Sequence, residues 1–196
     1  FSGYSSIALG SSRVMGFHFP RNFNWPYLAP SPRDFWRRWH ISLSTWIRDY
    51  LYLPLQGVKF RGTVGQPGSG PKAKSEDAAV AVATDAGEAR RTFALLATWF
   101  IMGLWHGASW TFALWGLWHA GLVLAHRFSE PVRKLLPMWF RTVGGWAFTL
   151  SFSMLGWIFF RAHGVEQSIT MVLRAFDVRT IRTMALREQD YLVAAL

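Results

Sequence analysis

Trp105-His106-Gly107 places an ionisable side chain inside a stretch, Thr92 to His126, that contains no Asp, Glu, Lys or Arg. A charge at the centre of a bilayer costs about 2.5 kcal/mol or more. A histidine at such depth is therefore held neutral, and a neutral imidazole can take a proton from a hydroxyl. The competing reading is a histidine packed and hydrogen-bonded in a tryptophan-rich core, and depth alone does not separate the two. His40, in Arg37-Arg-Trp-His-Ile-Ser42, is the second candidate. His119 repeats the Trp-His pairing after Trp118. On one unbroken helix it would point ~220° away from His106, so it reads as a core residue. His126 reads as an interfacial anchor beside Arg127, and His18 and His163 as loop residues.

Other chemistries find less support. The chain has no cysteine, which removes thiolate catalysis, disulfides and Cys-ligated zinc. Ser109 lies near His106, but the run holds no acid to complete a triad. No paired histidines stand at metal-binding spacing on one helix, and no phosphate-binding glycine loop occurs. No metal is expected. A proton acceptor remains the best-supported job for His106.

These residues need elements to hold them. Hydrophobic residues make up 51% of the 196 residues, and twelve are tryptophan. Apolar residues crowd into 92–126 and 142–160, which is the segregation of an integral membrane protein. The net charge of +10 does not imply nucleic acid, because Arg90, Arg91, Arg127, Arg133, Lys134, Arg141 and Arg161 flank the apolar runs, as interfacial anchors do. One unbroken helix over 92–126 would reach ~52 Å, too long for a ~30 Å hydrocarbon core. Gly107-Ala108-Ser109 offers a break, predicting a broken intramembrane helix with His106 at its end. Residues 142–160 form a span, with Gly144-Gly145 for close helix contact. Residues 168–190 suggest a short amphipathic helix and a basic loop.

Ser31, Pro32 and Asp34 signal a helix start, predicting one interfacial amphipathic helix over 32–53. On it Phe35, Trp36, Trp39, Leu43, Trp46, Ile47 and Tyr50 share an arc, with His40 at its edge. Asp34 and Arg38 are spaced for an ion pair. Residues 1–17 suggest the end of a span, and 18–32 a proline-rich loop. Residues 56–91 read as a flexible polar loop, with at most a helical turn or two at Ala78 to Ala83. The ends, at Phe1 and at the apolar Tyr191 to Leu196, suggest the interior or C-terminal part of a longer chain. The expected fold is thus an all-α, multi-span membrane bundle, with 1–196 part of one domain incomplete at both ends.

The stretch Asp34 to Leu55, with its Arg-Trp-His-Ile-Ser core, closely resembles the signature of the membrane-bound O-acyltransferases, in the alginate O-acetylation branch. Phe1-Ser-Gly-Tyr-Ser5, Gly16 to Phe23, Pro26-Tyr27, Met102 to Trp110 and Trp115 to His119 fit the same branch. Ser6, Gln56-Gly57 and the long 62–91 linker depart from it. The resemblance implies a many-helix membrane bundle around a tunnel, in a bacterial cytoplasmic membrane. It implies transfer of an acyl group, most simply acetyl, to hydroxyls of an exported alginate-like polysaccharide. The donor would be acetyl-CoA or another acyl thioester, with no bound cofactor. An extracytoplasmic esterase-like acetyltransferase is the implied partner protein, beside membrane lipid. His106 maps to the family's near-invariant histidine and His40 to that of its Arg-Trp-His motif. Arg37, Arg38 and Arg48 would meet donor phosphates or lipid headgroups, and Trp105, Trp110 and Trp118 would shape a dry tunnel or simply pack. Rival readings are a non-catalytic membrane scaffold or transport component, and a haem-binding membrane protein with histidine ligands.

Overall fold

The computed structural model describes residues 2–58 and 87–177. Residues 59–86 of the expected 56–91 loop, the turns at Ala78 to Ala83, the basic loop beyond 177 and the apolar Tyr191 to Leu196 lie outside the described residues. Every regular element within the described residues is helical. Helix α1 is Ser2–Val14, α2 Pro32–Arg38, α3 Ile41–Ile47, α4 Glu88–His106, α5 Trp110–Phe128, α6 Glu130–Lys134, α7 Met138–Arg161 and α8 Val165–Ala175. A single 3-10 turn, Pro26–Leu28, precedes α2, and a π-helical turn, Arg48–Tyr52, follows α3.

The break at Gly107 is present, but the chain does not resume its direction. It reverses, and α4 and α5 lie antiparallel. Gly103 faces the backbone of Phe112 and Ala113, Gly116 faces the Trp99 carbonyl, and Glu88 pairs with Arg127 at the far end. Those three contacts fix one register. The expected broken helix is therefore a hairpin of two 19-residue helices. Two local features explain the turn. The Ser109 side chain caps α5 by accepting from the Thr111 amide. The Phe112 ring lies over Gly107, where a Cβ would come within 2.5 Å of it.

Helix α7 packs along the hairpin, antiparallel to α5. The Trp118 Nε1 donates to the Phe152 carbonyl at 2.9 Å, and Phe160 stacks edge-on against Phe112 and Trp115. By length and composition α7 is the one helix among the described residues that suits a membrane crossing. Its glycines act differently from the expectation. Gly145 receives the Pro30 carbonyl of the preceding loop, and Trp146 donates to the Tyr27 carbonyl at 2.8 Å. The close helix contact expected of Gly144-Gly145 is made instead by Gly103, Gly116 and Gly156. Gly145 seats the loop that leads into α2.

The expected 32–53 helix starts as its sequence signals. Ser31 accepts from the Asp34 amide at 3.1 Å, and Asp34 pairs with Arg38 at 2.8 Å. It is interrupted at Trp39-His40. In a continuous helix the Arg38 carbonyl would accept from the Ser42 amide. Here the Arg38 carbonyl accepts from Asn24, and the Ser42 amide donates to the Asn22 side chain at 3.0 Å. The Ile41 amide donates to the Asn22 carbonyl at 2.9 Å. Two asparagines of the proline-rich loop thus take over the bonds a helix would make. The predicted single arc splits: Phe35, Trp36, Trp39 and Ile47 pack inward, while Trp46 and Tyr50 are exposed and stack on each other.

The hairpin contact yields a direct test. A valine at Gly116 places atoms against the Trp99 carbonyl, and overpacking of this kind costs about 1–3 kcal/mol. Gly116→Val in the full-length protein is expected to lower the melting temperature in detergent. Gly121→Ala, whose Cβ meets nothing, is expected to melt at or above wild type. Equal melting of the Gly116 variant and wild type would remove the hairpin register.

Candidate functional site

His106 is the last residue of α4 and is half-buried. Its imidazole sits in an aromatic wall. Ring centroids lie 4.9 Å away at Trp115, 5.1 Å at Phe160 and 5.0 Å at Trp105, all edge-on. Three helices build this wall: α4 supplies His106 and Trp105, α5 supplies Trp115, and α7 supplies Phe160. Trp115 is buried, and its ring plane stands at 88° to the imidazole. Aromatic pairs of this geometry contribute about 0.5–1.5 kcal/mol each, so the wall holds the ring of His106.

His40 occupies the break between α2 and α3. Its backbone is left-handed, with φ 45° and ψ 54°. A non-glycine residue held there stores about 1–3 kcal/mol, and such strain concentrates at functional sites. The bonds from Asn22 and Asn24 hold it in place from both sides of the break. Phe23 lies beside its ring at 6.4 Å. Burial holds the His40 imidazole below its ordinary pKa, and a hydrogen bond to its own backbone partly offsets this. His40 is therefore neutral over a wider pH range than a free histidine. The two histidines border one aromatic surface: Trp39, next to His40, meets Trp157 at 5.2 Å, Trp157 meets Phe160 at 6.0 Å, and Phe160 meets His106 at 5.1 Å.

The remaining sequence candidates divide. Arg37 is exposed on α2. Arg38 and Arg48 engage Asp34 and Asp49 through Nε at 2.8 and 2.7 Å. Trp105 and Trp110 are exposed on either side of the 107–109 turn, with relative accessibilities of 64% and 70%. Trp118 is tied to α7 through the Phe152 carbonyl. A cavity of about 250 Å³ is lined by Phe100, Leu104, Ala108, Ser109 and Trp110. Another of about 320 Å³ opens between α1 and Arg21, Asn22 and Phe23. Neither is lined by His106. Among the described residues no three His, Asp or Glu side chains are grouped to hold a metal.

Sequence reading missed two participants. Asn22, which sets the His40 break, showed only as a loop asparagine. His119 was set aside because an unbroken helix turns it from His106. The reversal at Gly107 changes that geometry, and both histidines contact the same Trp115 ring.

Comparison with known proteins shows what the chain is similar to. Residues 1–65 match the model of the membrane-bound O-acyltransferase family. The chain is 37% identical to a probable alginate O-acetylase AlgI of Azotobacter vinelandii, over 90% of this chain and 30% of that protein. It is 32% identical to a peptidoglycan O-acetyltransferase of Helicobacter pylori, over 88% of this chain and 28% of that protein. It is 34% identical to a teichoic acid D-alanyltransferase of Bacillus subtilis, over 68% and 29%. The chain spans about 30% of the length of the curated relatives it matches.

The strained backbone at His40 can be separated from the chemistry of its side chain. His40→Gly relieves the left-handed conformation and is expected to keep or raise the melting temperature of the full-length protein. His40→Val, β-branched at the same φ, is expected to lower stability by about 1–3 kcal/mol. Thermal melts in detergent decide it. A glycine variant less stable than the valine variant contradicts the strain.

Proposed function

This chain belongs to the membrane-bound O-acyltransferase family, and we propose that the full-length protein moves an acetyl group from a thioester donor toward hydroxyls of an exported, alginate-like polysaccharide. The observation that carries the proposal is His106, half-buried at a helix end in an aromatic wall that extends to the ring beside His40. Neutral His106 takes the proton of the acceptor hydroxyl as that oxygen attacks the thioester carbonyl. The C–S bond then breaks, and the departing thiolate takes the proton back from the imidazolium. The ester forms, and the base is regenerated. His40, set at a fixed backbone break, positions the donor or acceptor. The aromatic surroundings limit water and hence hydrolysis of the thioester.

The other assignments follow from placement. Arg37, exposed on α2, is suited to a phosphate of the donor, acetyl-CoA or another acyl thioester. Arg38 and Arg48 would add their terminal nitrogens beside their aspartate contacts. Trp105 and Trp110, exposed at the turn, would line a tunnel completed by further helices of a multi-span bundle. Trp118 contributes by holding α5 on α7. The protein would act in the bacterial cytoplasmic membrane, passing acetyl groups toward an extracytoplasmic esterase-like acetyltransferase. The alginate O-acetylase relative supports an alginate-like acceptor; the peptidoglycan and teichoic acid relatives show that the acceptor and acyl group vary among similar proteins.

Replacing His106 by Gln in the full-length protein removes the base and keeps a similar volume. Acyl transfer is expected to fall by about 10²–10⁴-fold, read as acetate released by alkali from the exported polysaccharide. Ester content at the wild-type level, with equal protein in the membrane, would sink the base role.

A further inference from the structure

We propose that His119 is a positioning residue for this reaction: one buried water joins its Nδ1 to the indole N–H of Trp36, and that bridge holds the His40 segment against the His106 helix. The inference rests on the acyltransferase reading above. His119 is 3% exposed and lies inside a cage of rings. Trp36 is 4.9 Å away, Trp115 5.0 Å and Trp99 5.7 Å between centroids. Behind it, Gly156 leaves the space that Nε2 needs, since a Cβ there would come within 2.7 Å. A phenylalanine would fill an aromatic cage of this kind without the cost of burying a polar ring.

The nitrogen therefore needs a partner, and the neighbouring ring carries one. His119 Nδ1 and Trp36 Nε1 are both buried without a hydrogen-bond partner. Interiors satisfy nearly all such atoms, and a water between two of them is a common means. Donor chemistry sets the direction. An indole nitrogen only donates, so the water accepts from Trp36 and donates to Nδ1. His119 then carries its own proton on Nε2, toward Gly156.

The bridge lies where it can set the site. Trp36 is on α2, just before the break at His40. Trp36, His119 and Trp115 form a triangle of rings, with Trp36 5.7 Å from Trp115, and the Trp115 ring also contacts His106. Through this triangle the His106 helix and the segment that bears His40 share one packing centre, of which His119 is the polar corner. Loss of the bridge removes the polar restraint on how α2 sits on the hairpin and lets it settle slightly out of place. A shift of that order costs turnover, because acyl transfer needs the two histidines in register.

The test uses the full-length protein in liposomes, with three variants and a thioester donor. His119→Phe keeps the packing and removes the nitrogen. His119→Asn places an amide oxygen near the position of Nδ1. Trp36→Phe removes the other end of the bridge. His119→Phe is expected to melt like wild type, and both Phe variants to lose kcat by about 10- to 100-fold. The double Phe variant is expected to be no slower than either single one, and His119→Asn to recover most of the rate. Wild-type kcat in folded His119→Phe, or an Asn variant no faster than the Phe variant, overturns the proposal. A high-resolution map of the wild-type protein gives a second readout. It is expected to show one water in hydrogen-bond reach of both nitrogens, and its absence overturns the bridge whatever the activity. If wild-type protein transfers no acyl group, the functional reading fails while the map still decides the bridge.

Discussion

Helices α4 and α5 meet backbone to backbone because Gly103 and Gly116 carry no side chain. That contact sets how the hairpin is phased. With Trp99 opposite Gly116 and Gly103 opposite Phe112, His106 falls beside Trp115 and next to the turn. Helix α7 then adds Phe160 to the same wall and Gly156 beneath His119. A half-turn change in phase on either helix would carry His106 away from Trp115 and empty the cage around His119. The site depends on two absent β-carbons more than on any single polar contact.

The second constraint is an exchange of hydrogen bonds. Asn22 and Asn24 take the partners that would have continued α2 into α3. The chain is thereby forced through a left-handed residue, and that residue is His40. The α2 segment bears on the hairpin through Trp36, whose ring touches Trp99, Trp115 and His119. The loop before it is held on α7 by Gly145 and Trp146. Three distant pieces of sequence therefore converge: the loop at 22–30, the α4–α5 hairpin and α7. The segment that bears His40 and the helix that ends at His106 therefore meet on one hairpin.

Local sequence carried much of this. The Ser31 cap, the Asp34–Arg38 pair and the break at Gly107 are short-range signals, and each appears where the residues place it. The motifs around His40 and His106 pointed to the family, and the similarity to known acyltransferases agrees with them. What could not be read was long-range. No local pattern says that Gly107 reverses the chain rather than kinking it, since that depends on which faces of two helices fit. The aromatic arc over 32–53 was periodic and misleading, because partners from Asn22 and Asn24 outcompeted the helix. His119 was discounted by a calculation that was correct for a straight helix. The roles of His106, His40, the three arginines and the tryptophans at the turn rest on placement and family likeness together.

The central claim is that His106 and His40 face one reaction chamber in the full-length protein. A structure of that protein bound to a non-hydrolysable thioester analogue tests it most directly. The account predicts the analogue's carbonyl beside the His106 imidazole, with His40 lining the same chamber. An analogue seated away from His106, with the two histidines in separate compartments, would contradict it.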